Sequence, residues 1–136
     1  MFSSPSGRHT FRKPERLASK LAFDQLMKSG RRITDTSVSI VWKSMPLPTS
    51  APVQVAFSVP KRQFSRAVDR NRIKRLMREV YRKNKNIVYP LLAEKRKQYA
   101  ILFVYTSKTL PAYPEIAEKI TTILNRLAEI IQQTPE

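Results

Sequence analysis

Between Lys61 and Lys85 the chain reads KRQFSRAVDRNRIKRLMREVYRKNK, an apolar helical stripe set in an almost purely basic surface. From Arg70 onward Ile73, Leu76, Met77, Val80 and Tyr81 recur at i, i+3, i+4, i+7 and i+8, the repeat of one face of an α-helix. Off that stripe, Arg70, Lys74, Arg75, Arg78 and Arg82 fan across one broad side with Asn71 among them. The helix is expected to bury Ile73, Leu76, Met77 and Val80 and to turn its guanidinium groups outward. The segment holds 11 of the chain's 26 Lys and Arg against two acids, Asp69 and Glu79, and so carries +9 of the formal net charge of +16. Like charges at i, i+4, such as Arg70/Lys74 and Lys74/Arg78, oppose the helix. A polyanion would relieve them, whereas an ordinary solvated face mixes Glu with Lys. The excess of Arg over Lys suits bidentate contact with phosphate.

A pI near 10.7 calls for an anionic partner, either nucleic acid or an acidic membrane surface. The apolar face of this helix has Ile, Leu, Met and Val that a small core needs, and lacks the Trp and Phe of an interfacial helix, so nucleic acid is the stronger reading. With 136 residues and 41% hydrophobic residues the chain is expected to form one domain. No apolar run approaches a membrane span, and no secretory signal is visible at the start. The absence of cysteine excludes disulfides and thiolate sites and fits a reducing compartment, so a cytoplasmic protein is expected.

Residues 1–13, rich in Ser, Pro and basic side chains, read as a flexible basic arm ahead of a single domain over 14–136. Ser19 is placed to cap a helix over Lys20 to Ser29 with Gly30 at its stop, in which Phe23, Leu26 and Met27 share a side. The ordinary explanation of that side is core. Val38, Ile40 and Trp42 alternate with Ser37, Ser39 and Val41, and Val53, Val55, Phe57 and Val59 with Gln54, Ala56 and Ser58, which predicts two strands around a Pro-rich link. Paired antiparallel, their second faces would form a floor of small side chains, either plain exposed sheet or the bottom of a groove. A helix entered between Ser65 and Asp69, either of which can cap, carries the basic surface. A shorter helical piece is expected near Ile87 to Lys95. Tyr99 to Tyr105 is apolar without alternation, as in a central strand buried on both faces. Pro114 suits the first turn of a last helix, striped by Ile116, Ile120, Ile123, Leu124, Leu127 and Ile131. The order α-β-β-α-β-α is that of an α+β fold with a small mixed sheet of about four strands packed with helices.

For catalysis by the chain itself the sequence offers little. The one histidine is His9, the ten carboxylates are scattered, and Gly7 and Gly30 are the only glycines, so no triad, metal cluster or phosphate-cradling loop can be assembled.

The run Arg70-Asn71-Arg72-Ile73-Lys74-Arg75 followed by Leu76-Met77-Arg78-Glu79, with Lys61-Arg62 ahead of it, resembles the RNR signature of the bacterial ribonuclease P protein subunit. The resemblance implies a left-handed β-α-β crossover, as in that family and in a ribosomal-protein domain of the same fold. It implies a protein cofactor of an endoribonuclease, a hydrolase that removes the 5′ leader from precursor tRNA, with catalysis in the RNA subunit and Mg²⁺ bound mainly there, none tightly by the protein. The implied partners are the catalytic RNA and precursor tRNA, with no membrane, DNA or protein oligomer. By position, Arg70, Asn71, Arg72, Lys74, Arg75 and Arg78 match the helix that contacts the catalytic RNA. Phe23, Lys61, Arg62 and Arg66 match the leader groove, with Ser39, Val41, Ala56 and Ser58 beneath it. Met27 and Val41 depart from the pattern, standing where the family often has aromatics. The competing reading of composition and fold is a structural, ribosomal-type RNA binder.

Overall fold

A computed structural model describes residues 13–134. All but the last residue of the stretch read as a basic arm, His9 included, lie outside the described residues. The chain runs α1 (Lys20–Ser29), β1 (Arg31–Thr34), β2 (Val38–Ser44), β3 (Val53–Ser58), α2 (Ala67–Asn84), α3 (Tyr89–Lys95), β4 (Tyr99–Tyr105) and α4 (Tyr113–Gln133), with 3₁₀ turns at Lys13–Glu15 and Lys85–Ile87. The four strands lie in the order β1-β2-β4-β3. β2 is antiparallel to both β1 and β4, and β3 is parallel to β4.

β4 therefore separates the two strands whose direct pairing the sequence suggested. The reason lies in its composition: an apolar run on both faces is most stable where neighbours cover both edges and layers cover both faces. Only Val104 in it is more than marginally exposed. β1 was not foreseen as a strand, because Arg-Arg-Ile-Thr has one apolar residue and no period.

One face of the sheet carries α2 and α4 over the main core. Ile73, Met77, Val80 and Tyr81 of α2 are fully buried there, with Leu76 only partly so, and the whole predicted stripe of α4 is buried. Tyr81 meets Phe57 and Phe103 edge-on, at ring separations of 5.9 and 5.7 Å. The other face carries α1, whose Leu26 packs with Val41, Met45, Ala100 and Leu102. Helix α1 is bounded as its sequence dictates: the Ala22 N–H donates to Ser19 Oγ at 3.2 Å and the chain leaves at Gly30. Gly30 is needed for space, since its backbone is extended and a Cβ there would meet the Leu26 carbonyl at 2.4 Å and Val41 Cγ1 at 2.7 Å. At α2 the expected side-chain cap is absent: Arg66 holds the N-cap position, and Asp69 sits in the first turn, where its charge favours the helix dipole. Helix α4 starts with Glu115 accepting from the Ala112 N–H at 3.0 Å.

The segment before α1 guards the outer edge of β3. Arg16 bridges Val55 in parallel, and the Leu17 N–H donates to the Val55 carbonyl. What fixes it is Glu15, whose Oε2 accepts from Lys85 Nζ and from the Tyr89 hydroxyl, each at 2.7 Å, with the Tyr81 hydroxyl 2.8 Å from that of Tyr89. The ionic side chains are 8–9% exposed, so this pair is desolvated. Burial, above all, holds the Tyr81 and Tyr89 phenols well above the ordinary tyrosine pKa, so they remain hydrogen-bond donors.

Glu15→Gln and Lys85→Met are each expected to lower unfolding stability by about 3 kcal/mol, because either leaves the partner charge buried and unpaired. The double variant should lose less than the sum. Additive losses in denaturant titrations would show that the pair is not coupled. Gly30→Ala should cost about 1–3 kcal/mol, since both the Leu26 carbonyl and Val41 must give way; an unchanged thermal midpoint would contradict the packing described.

Candidate nucleic-acid interface

The loop between β3 and α2 is built to hold cations outward. The Gln63 and Phe64 N–H groups turn back to the Pro60 carbonyl, Phe64 is buried against Tyr105, and Gln63 Nε2 donates to the Thr106 carbonyl at 2.6 Å. Anchored on both sides in this way, Lys61 and Arg62 project exposed from the end of the sheet, and Arg66, also exposed, follows them.

Along α2 the basic residues divide by what they touch. Arg70 Nη1 donates to the carbonyls of Phe64 and Ser65 at 2.8 and 2.9 Å, so this guanidinium ties the loop to the helix. Arg82 grips Glu79 through two bonds of 3.1 and 2.6 Å, and Lys83 stands 3.7 Å from the same carboxylate. The hydrogen bond from Arg82 holds the Glu79 carboxyl below the usual range. The last turn is thus largely neutralised, a compensation that the sequence reading underrated. Arg72, Lys74 and Arg75 have no hydrogen bond or ion pair among the described residues. Asn71 is exposed beside them. Arg78 lies over the Phe57 ring at 5.8 Å. The free charge is therefore concentrated in the first turns of α2 and the loop before it, around a helix N-terminus that already favours anions.

On the opposite face α1 separates its apolar residues by fate. Leu26 is wholly buried, while Phe23 and Met27 are 36% and 51% exposed, so these two are not core. The small-residue floor is only partly open. Ser39 and Val41 are 1% and 4% exposed, Val41 beneath Leu26 and Ser39 accepting from Arg32 Nη1 at 3.4 Å. Leu26 and Gly30 close over Val41, and the Arg32 side chain lies against Ser39, so neither presents a surface to a ligand. Ala56, Ser58 and Val104 remain half-buried.

Three residues of this surface escaped the sequence reading. Arg32 reaches over the floor from β1, an unforeseen strand. Arg16 and Phe57 join Leu17, Val55, Ala56 and Arg78 around an open cleft of about 410 Å³ at the edge of β3. Phe57 alternates as core does, and only the placement of Arg78 over it marks it as surface-facing. Among the described residues no group of three or more His, Asp or Glu is placed to hold a metal ion, and no helix is long and apolar enough to cross a membrane.

Comparison with known proteins agrees with the geometry. The Ribonuclease P family matches residues 11–128. The ribonuclease P protein component of Porphyromonas gingivalis is 31% identical over 116 residues, covering 85% of each chain. That of Chlorobaculum tepidum is 35% identical over 127 residues, covering 86% of this chain and 82% of its own. Among solved structures, the RNase P protein of Staphylococcus aureus superposes with a TM-score of 0.68 at 18% identity, covering 88% of this chain and 99% of its own. That of Thermotoga maritima gives 0.66 at 20%, covering 82% and 96%. At these identities the structures speak to the fold.

The division of labour along α2 has a measurable consequence. Arg72→Ala and Arg75→Ala should each weaken RNA binding about tenfold near 0.1 M salt while leaving the melting temperature unchanged. Arg70→Ala should lower both, because its guanidinium also holds the Phe64 and Ser65 carbonyls. A melting temperature unaffected by Arg70→Ala would remove its anchoring role.

Proposed function

The chain belongs to the ribonuclease P protein family, and from that membership we propose that it binds the catalytic RNA of ribonuclease P through α2 and the 5′ leader of precursor tRNA across the α1 face. The family is that of the protein component of an endoribonuclease complex, and its partner is accordingly the ribonuclease P RNA. The observation that carries the finer reading is the set Arg72, Lys74 and Arg75, three cations beside Asn71 with no protein partner among the described residues. Backbone phosphates are what such a surface recognises, and contacts of this kind hold register without reading sequence.

The leader would run over exposed Phe23 and Met27, between α1 and the cations of Lys61, Arg62 and Arg66. Aromatic stacking contributes roughly 1–3 kcal/mol per base, and Phe23 is the one aromatic that α1 offers. Charge therefore does more of the holding here than stacking. If about six phosphates of a single strand are covered, the log–log salt slope from that part is near −4.

Hydrolysis itself we assign to the RNA. The carboxylates of the described residues do not cluster, so Mg²⁺ would be held by RNA phosphates, and the chain's contribution is to bind, align and lower phosphate repulsion between catalyst and substrate. We take the site of action to be the cytoplasm, which suits a chain without cysteine.

Cleavage of a precursor tRNA at low Mg²⁺, using a bacterial ribonuclease P RNA with and without the protein, tests this reading. Leader release should require both components, and the protein alone should release none. Salt-sensitive binding without any gain in cleavage would point instead to a structural RNA binder. Phe23→Ala should raise KM for leader-bearing substrate several-fold and leave binding of the catalytic RNA intact; the reverse pattern would exchange the two surfaces.

A further inference from the structure

At the corner of the sheet where β1 begins, Arg31 pairs with Trp42 in the ladder, and its guanidinium carbon lies 4.9 Å from the centre of the Trp42 ring. The indole in turn stacks on Tyr99, with ring centres 5.1 Å apart and planes within 13° of parallel. The result is a three-layer stack of cation, indole and phenol in which the two aromatics are buried and the cation is exposed. A guanidinium lying on an aromatic face keeps its in-plane N–H donors free, and the stack fixes their direction in advance.

None of the donors at this corner has found an acceptor. Arg31 makes no hydrogen bond or ion pair among the described residues, and neither does the Tyr99 hydroxyl. Trp42 Nε1 is buried and without a partner, an expensive state for an indole N–H. The Tyr99 phenol is pushed up by burial and pulled back by the charge of Arg31, so cation and hydroxyl act on each other. A cation that merely roofed the core would be as well served beside a carboxylate, and none is paired with it here. The indole N–H is sealed beneath the surface, so the donors open to an incoming anionic oxygen at this corner are those of the exposed Arg31 guanidinium, which the stack holds in place.

The sheet order sets where that place lies. β1 and β3 are opposite edges, and Arg31 and Tyr99 begin their strands, whereas Lys61 and Arg62 follow the end of β3. The corner is thus diagonally across the sheet from the cations that lead into α2, on the order of 20 Å away by strand spacing and rise. We propose that Arg31, held on the Trp42–Tyr99 stack, is a second RNA anchor that binds a phosphodiester oxygen. The formal net charge of +16 favours a polyanion over an isolated small anion as occupant. The inference does not depend on which RNA the chain serves.

Trp42 is the only tryptophan of the chain, so its emission reports on this corner alone. The full chain would be titrated with a 12-nucleotide oligouridylate, with binding followed by the anisotropy of an end-labelled strand and Trp42 emission recorded in parallel. Emission should change in step with binding. Arg31→Ala should uncouple the two and reduce the salt slope by about 0.7, the share of one single-strand phosphate. Flat Trp42 emission at saturation in the unmodified chain would overturn the proposal, as would an absence of binding or an Arg31→Ala chain with the same slope and emission response. The first of these needs no variant, so a poorly folded Arg31→Ala leaves the decision intact. Leader cleavage with ribonuclease P RNA is read separately, and its failure would bear on the proposed function and not on this corner.

Discussion

Helix α2 would not persist on its own charge. Three i, i+4 pairs of like sign, Arg70/Lys74, Lys74/Arg78 and Arg78/Arg82, each oppose it by about 0.2–0.5 kcal/mol. Against this stands the burial of Ile73, Met77, Val80 and Tyr81, at roughly 1.5–3 kcal/mol for each side chain. The apolar stripe wins by several-fold, and the helix is held as a rigid carrier of repelling cations. Pairing with Glu79 relieves the last turn, whereas the cations Arg72, Lys74 and Arg75 keep their repulsion at the surface, where a phosphate backbone would relieve it. Affinity for a polyanion and its salt sensitivity would then come from the same arrangement.

The stripe needs a surface to rest on, and β4 supplies its centre. Phe103 and Phe57 stack at 5.4 Å, and Tyr81 packs edge-on against both. Tyr81 also points its hydroxyl into the buried network with Tyr89, Glu15 and Lys85. One residue of the basic helix thus links the aromatic core to the segment that covers the edge of β3. That segment brings Arg16 to the cleft shared with Arg78. A buried ion pair contributes little net stability by comparison with apolar packing of the same volume, but breaking it is costly, and this makes the path of the chain ahead of α1 well defined.

The two faces of the sheet serve different ends. The α2 and α4 face is closed over a continuous core, and what it offers a partner is the outer surface of α2. The α1 face is closed over a small cluster around Leu26 and Met45, leaving Phe23 and Met27 exposed beside a half-open floor. Exposed apolar side chains on a helix that already has a buried one call for a reason beyond packing, and a single-stranded ligand is one. The exposed Arg32 on one side and Lys61 and Arg62 beyond the end of β3 frame this face with positive charge.

Local signals fixed much of this in the sequence. Ser19 and Gly30 bound α1, the six-residue apolar stripe defines α4, the unalternating run Tyr99–Tyr105 marks a central strand, and the RNR run identifies both the basic helix and the family. Each of these depends on neighbours within a turn or two of chain, where spacing alone decides which side chains share a face. The tertiary structure decided the rest: that β4 enters between β2 and β3, that Ser39 and Val41 are covered, that Arg70 and Glu79 use their charges within the protein, and that Arg31 lies on Trp42. Those outcomes join positions far apart in sequence or depend on which of several donors reaches an acceptor first. Periodicity has no term for such contacts, because they are set by packing and strand order once the elements meet.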